Sequence, residues 1–87
     1  MKFKIYNTGG YDFSLDEKYY NDKRLKKYNL KKDPWKYDGV IVKNSYTIEI
    51  NSLEELMKFV KDVGCEIIIN YDDDLGNTIE IYDDYRE

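Results

Sequence analysis

The residues best placed to do chemistry in this chain are three consecutive carboxylates, Asp72-Asp73-Asp74. Oxygen donors at this density suit calcium or magnesium. An EF-hand loop takes oxygen donors at positions 1, 3 and 5, glycine at 6 and glutamate at 12. Counted from Asp72, Gly76 falls at 5, Asn77 at 6 and Asp83 at 12, and the flanking segments read as strands instead of helices. The pattern fails, and the cluster reads as an acidic hairpin tip with no metal.

Catalytic chemistry finds little to work with. Histidine is absent, which removes the imidazole as base, ligand or pH switch. The single cysteine, Cys65, has no partner for a disulfide and no base to activate it, so it reads as an inert thiol facing the core. No nucleophile elbow or glycine-rich phosphate loop is present, and Thr8-Gly9-Gly10 is too short to cradle a phosphate. The expectation is a non-enzymatic protein without a cofactor.

Charge is segregated along the chain. Between Lys18 and Lys36 there are eight basic residues against Asp22 and Asp33; between Asp62 and Glu87 there are nine acids against Arg86. The net charge is −4. Such a chain either pairs its two charged ends within the fold or shows two different faces to partners. One is basic and aromatic: Lys23, Arg24, Lys26, Lys27, Lys31, Lys32 and Trp35 could neutralise phosphates and stack on unpaired bases. The other is acidic: Asp72, Asp73, Asp74, Glu80, Asp83 and Asp84, with Tyr82 and Tyr85, could imitate a phosphate backbone and occupy a basic groove on another protein. The acidic net charge favours the second, since a nucleic-acid domain is usually strongly basic.

Tyrosine occurs ten times. A small core should leave several of these rings exposed, and exposed tyrosine is typical of interfaces. AT-rich coding bias would raise Lys, Asn, Ile, Tyr and Asp together and gives the same count.

The elements that must position these groups are clearest in the second half. Tyr46, Ile48 and Ile50 alternate with polar residues as in a half-buried strand. With Val40-Ile41-Val42 they suggest a hairpin across Lys43-Asn44-Ser45, after a turn at Asp38-Gly39. Ser52-Leu53-Glu54-Glu55 is a capping box, and Gly64 supplies a helix stop, which predicts a helix over 53–63. Leu53, Leu56, Met57, Val60 and Val63 form its apolar stripe, with Phe59 at the border or exposed. Residues 65–71 and 78–83 read as paired strands with Ile67, Ile69, Ile79 and Ile81 inward.

The first half gives a strand over 2–6 and, from Ser14-Leu15-Asp16-Glu17, a short helix near 15–27 that ends before Asp33-Pro34. The expected fold is α+β: one domain over 1–87, an antiparallel sheet of about four or five strands packed by one amphipathic helix, with a possible second short helix in the N-terminal half. The longest apolar run is three residues, so no transmembrane helix or signal peptide is expected, and MKFKIYN reads as a mature cytosolic terminus.

The stretch IEINSLEELMKFVKDVGCEIIINYDDDLGNTIEIYDDYRE resembles the tails of small proteins from phages and mobile elements of low-GC Gram-positive bacteria. In size, acidity and tyrosine content the chain is similar to anti-CRISPR proteins. The resemblance covers about residues 46–87, carries no diagnostic motif and transfers no site residue. It implies a cytoplasmic inhibitor that binds a CRISPR-Cas effector, or another nucleic-acid-handling complex with a basic groove. The alternatives are a small nucleic-acid-binding regulator using residues 18–37 and a phage structural or assembly protein. No membrane partner is expected.

Overall fold

The computed structural model describes residues 1–10 and 13–83. Its elements are β1 (Lys2–Asn7), α1 (Glu17–Tyr20), a 3-10 turn (Lys26–Tyr28), β2 (Lys31–Lys32), β3 (Trp35–Tyr37), β4 (Val40–Val42), β5 (Tyr46–Glu49), α2 (Leu53–Val63), β6 (Ile67–Asp72) and β7 (Gly76–Ile81). Five strands form one sheet in the order β2-β5-β1-β7-β6, and β3 and β4 form a separate two-stranded sheet. The fold is α+β, as the residue pattern predicts.

The sheet is mixed. β1 lies at its centre, antiparallel to β5 (Phe3 opposite Ile48) and parallel to β7 (Ile5 opposite Ile79). β6 closes antiparallel on β7, with Ile69 opposite Ile79. β5 and β6 therefore run the same way with two strands between them, and a crossover must join them. Three strand spacings amount to about 14 Å. The eleven residues of α2 reach about 16 Å, enough to make that crossing.

The ends of α2 follow from its sequence. Ser52 is extended, and its hydroxyl accepts the Glu55 amide at 3.1 Å; the Glu55 carboxylate accepts the Asn51 amide at 3.2 Å. Gly64 takes a left-handed conformation at φ 80°, which a side chain would oppose. The buried face differs from the expected stripe. Phe59 is completely buried and Val63 buried, Leu56 is half-buried, and Leu53 and Met57 are 73% and 59% exposed. The crossover and the Tyr28 ring, which meets Phe59 edge-on at 5.3 Å, turn the helix toward the other side of its apolar arc. Beneath it lie Phe3, Ile5, Ile48, Ile50, Ile79 and Ile81, joined by Leu15, Tyr19, Leu25 and Tyr28 from the N-terminal half.

Two other expectations change. The stretch 15–27 holds one turn of helix over Glu17–Tyr20, with Asp16 at the N-cap position and no side-chain cap bond. The helix starts two residues beyond the position that a Ser14 cap would need, and the Ser14 carbonyl accepts the Asn7 amide at 3.4 Å. Asp22 then takes the Arg24 amide at 2.8 Å, a local turn that competes with helix. The expected hairpin of 40–42 with 46–50 does not form either. β4 pairs with β3, Trp35 opposite Val42. Asp38 and Gly39 have φ 51° and 79°, as the two-residue turn that matches strand twist requires. Trp35, Val42 and Leu75 form a second small core, packed by Phe13 and Tyr37.

Candidate functional site

The acidic surface is built on the β6–β7 hairpin. Asp72 Oδ1 accepts the amides of Asp74 at 2.8 Å and Leu75 at 3.0 Å, which folds the tip back on itself. Leu75 is buried in the second core, and Lys4 Nζ donates to its carbonyl at 3.0 Å. Asp73 and Asp74 are thereby left exposed on a tip anchored from both sides. Among the described residues, no group of three or more acidic or thiol side chains is placed to hold a metal ion. Asp72 itself is committed to the loop amides.

The remaining acids divide. Glu80 is half-buried and accepts the Thr8 hydroxyl at 2.9 Å. Tyr82 is half-buried, and its amide closes on Glu66. Asp84 and Tyr85 lie outside the described residues. Asp83 does not belong to a partner-facing surface, because its carboxylate is buried. It accepts Asn7 Nδ2 at 2.8 Å, Tyr19 Oη at 2.5 Å and the Gly9 amide at 3.1 Å, with Lys18 Nζ at 3.8 Å. Asn7 in turn donates to Asp16 at 3.0 Å and accepts its amide at 2.8 Å. This polar knot ties the end of β1, the start of α1 and the end of β7 together. A Cβ on Gly10 would fall 2.1 Å from the Ser14 carbonyl, so the loop beside the knot admits glycine alone.

Cys65 borders the knot, half-buried, and precedes β6. Burial, then the Asp83 charge, pushes its thiol above the ordinary range. A thiol held protonated is a poor nucleophile.

The basic surface is thinned in the same way. Arg24 is occupied by Asp22, with Nη2–Oδ2 at 2.7 Å, and that carboxyl is held down to about 2 by the guanidinium hydrogen bond. Lys27 pairs with Asp62 at 3.1 Å. Lys23, Lys26, Lys31 and Lys32 stay exposed. Trp35 is buried under the hairpin, where it has no face for a base to stack on.

The tyrosines are mostly structural. Of the eight described, Tyr19, Tyr28 and Tyr46 are buried, Tyr6, Tyr20, Tyr37 and Tyr82 are half-buried, and Tyr71 alone is exposed, at 66%. Their hydroxyls explain how a small core takes them: Tyr19 finds Asp83, and Tyr28 finds Asp62 at 2.5 Å. Tyr20 stacks on Tyr46 with centroids 4.6 Å apart.

The feature missed in the sequence is the β6 edge. Beyond β7, β6 has no further strand partner among the described residues. Ile69, expected inward, is 48% exposed at this edge, and Ile68 is 39% exposed beside Tyr71. The signal lay in Ile67-Ile68-Ile69 itself, a run with apolar residues for both faces and too little protein to cover them.

Comparison with protein-family models, curated proteins and solved structures finds no match for this chain.

Proposed function

We propose that this protein is a non-enzymatic inhibitor that acts by stoichiometric binding. In the manner of an anti-CRISPR, it blocks nucleic-acid access to a host nucleic-acid-targeting complex. The contacting surface is the β6–β7 hairpin, with Asp73 and Asp74 entering a basic groove and Tyr71 packing beside them. One observation carries the reading. The two free carboxylates sit on a tip fixed by Asp72, Leu75 and Lys4, so a partner meets charges already in place and binding orders little. Pre-organisation of this kind lowers the entropic cost of association. Fixed charges also steer encounter with a basic groove.

Direct nucleic-acid binding through residues 18–37 is the weaker account. Its exposed lysines could contact phosphates, but Tyr19, Tyr28 and Trp35 are buried, and the half-buried Tyr20 and Tyr37 pack on Tyr46 and Phe13, which weakens the stacking platform that single strands need.

A competition experiment tests the proposal. The chain is added to a CRISPR effector from a low-GC Gram-positive host, and retention of labelled guide or target DNA is followed. Displacement that weakens with Asp73→Asn plus Asp74→Asn is the expected result. A chain that shifts labelled DNA or RNA by itself, with no effector present, overturns it.

A further inference from the structure

The two edges of the five-stranded sheet are built differently. β2 is two residues long, Lys31-Lys32, and is followed by Asp33-Pro34. Short length, lysine and proline are the ordinary means of keeping an edge from pairing with another chain. β6 is six residues long and reads Ile67-Ile68-Ile69-Asn70-Tyr71-Asp72, with neither lysine nor proline.

The ladder parity of β6 can be worked out. Tyr82 N donates to Glu66 O at 2.8 Å, so Glu66 and Tyr82 form a hydrogen-bonded pair. Antiparallel pairs alternate. Ile68, Asn70 and Asp72 then direct their backbone groups at β7, and Ile67, Ile69 and Tyr71 direct theirs outward. Among the described residues the Tyr71 amide is met only by the neighbouring Asn70 Oδ1, at 2.8 Å. The outward amides of Ile67 and Ile69 have no partner among the described residues.

The charges about this edge choose its occupant. Glu66 stands before the strand, Asp72 ends it, and Asp73 and Asp74 follow, with no basic residue from 66 to 74. A second copy pairing antiparallel about Ile69 sets Glu66 against Asp72 of the other copy, and a register centred on Asn70 sets it against Asp74. Like charges opposite one another oppose pairing. A strand with an apolar middle and basic residues at both ends meets acids at each end in either direction.

We propose that the outer edge of β6 is a strand-addition site for an extended segment of a partner protein, β-branched with alternating apolar residues at its centre and flanked by lysine or arginine. Main-chain hydrogen bonds to Ile67 and Ile69 supply the pairing. The neighbouring Ile69 and Tyr71 side chains contact alternate residues of the added strand, and Glu66 and Asp72–Asp74 select its basic ends. The inference rests on the binding part of the proposed function and not on the identity of the complex.

The test uses the full chain and two synthetic peptides, Lys-Lys-Val-Thr-Val-Thr-Lys-Lys and the same core flanked by serine. Residue-resolved amide exchange is the readout. In the free protein the amides of Ile68 and Asn70 should be protected and those of Ile67 and Ile69 should exchange quickly. Adding the basic peptide should protect Ile67 and Ile69. The serine-flanked peptide should bind about tenfold more weakly at low salt, with the gap closing as salt rises. Ile69→Pro removes an outward amide without breaking the β7 ladder, and should abolish the effect. Ile69→Lys, which keeps the amide and adds a charge that repels the peptide ends, should weaken it and serves should the proline variant fail to fold. No protection at saturating basic peptide overturns the proposal. So does equal affinity for the two peptides, or protection of Ile67 and Ile69 that grows with protein concentration alone and marks a second copy. No nucleic-acid-handling protein enters the assay, so failure here is separate from failure of the effector competition.

Discussion

Tyr19 and Asp83, 64 positions apart, meet inside the protein, the phenol donating to the carboxylate at 2.5 Å. Burial first, and then this carboxylate, pushes the Tyr19 phenol well above its ordinary range. The pair closes the chain on itself, since Asp83 also binds Asn7 and Gly9 at the end of β1. Tyr19→Phe should cost about 1–3 kcal/mol by leaving a buried carboxylate short of a donor. Urea denaturation of the variant beside the parent measures this. An unchanged midpoint at an unchanged slope would show that the knot contributes nothing net.

The orientation of α2 gives a sharper contrast. Phe59→Ala should cost about 3–5 kcal/mol, much of the stability of a domain this size. Leu53→Ala and Met57→Ala should each stay within about 0.5 kcal/mol of the parent. The opposite order would return the helix to the face centred on Leu53, Met57 and Val60.

That helix shows where legibility in the sequence ends. Its limits at Ser52 and Gly64 are local chemistry, a hydroxyl three residues before an amide and a residue that must turn left-handed, and both are readable in the one-dimensional order. The apolar arc of α2 is wider than the face it buries. Periodicity reports the arc, and only the crossing over β1 and β7, with Tyr28 against Phe59, decides which part of it turns inward. β3 is three residues long, too short to show a period, so Asp38-Gly39 was readable as a turn while the strand it joins to Val40 was not. The tyrosines fail for a related reason. Tyr28 is 34 positions from Asp62, and a hydroxyl partner at that distance leaves no trace in composition. In the candidate site the acids were readable as a charge run. The loss of Asp83 to the interior was not, because it depends on the parallel pairing of β1 and β7.

The Tyr28–Asp62 bond should give stability two pH limits. Burial, then the hydrogen bond to Asp62, pushes the Tyr28 phenol from 10.0 up to about 12. The folded state keeps a proton that the unfolded chain releases, so this contribution is complete below about 10 and is lost as pH rises toward about 12. Asp62 is held below the usual carboxylate range by the Tyr28 hydroxyl and then by Lys27. Its contribution is present above the unfolded carboxylate value and is lost as pH falls through the folded one. Tyr28→Phe should therefore narrow its stability gap to the parent at both the alkaline and the acid extreme. Denaturation midpoints of the two proteins across pH measure the gap, and a constant difference at every pH would contradict the pairing.

The last prediction separates the two charged surfaces in partner binding. Asp73→Asn, Asp74→Asn and Glu80→Gln together should slow association with a basic partner and flatten its salt dependence, because steering follows the summed field. Each of the three is exposed or half-buried, so the fold should survive. Asp83 is left out of the set, since its carboxylate holds the knot together and its loss would mix folding with binding. Tyr71→Ala should act differently. A packed aromatic anchor shows mainly in the dissociation rate, and its loss should raise that rate with association little changed. The matched control replaces Lys23, Lys26, Lys31 and Lys32, all exposed, by glutamine. Surface plasmon resonance at two salt concentrations reads both rates for every variant. If the lysine set abolishes binding while the acidic set leaves both rates untouched, the contact surface is the basic segment, and the acidic tip serves only to keep the hairpin soluble.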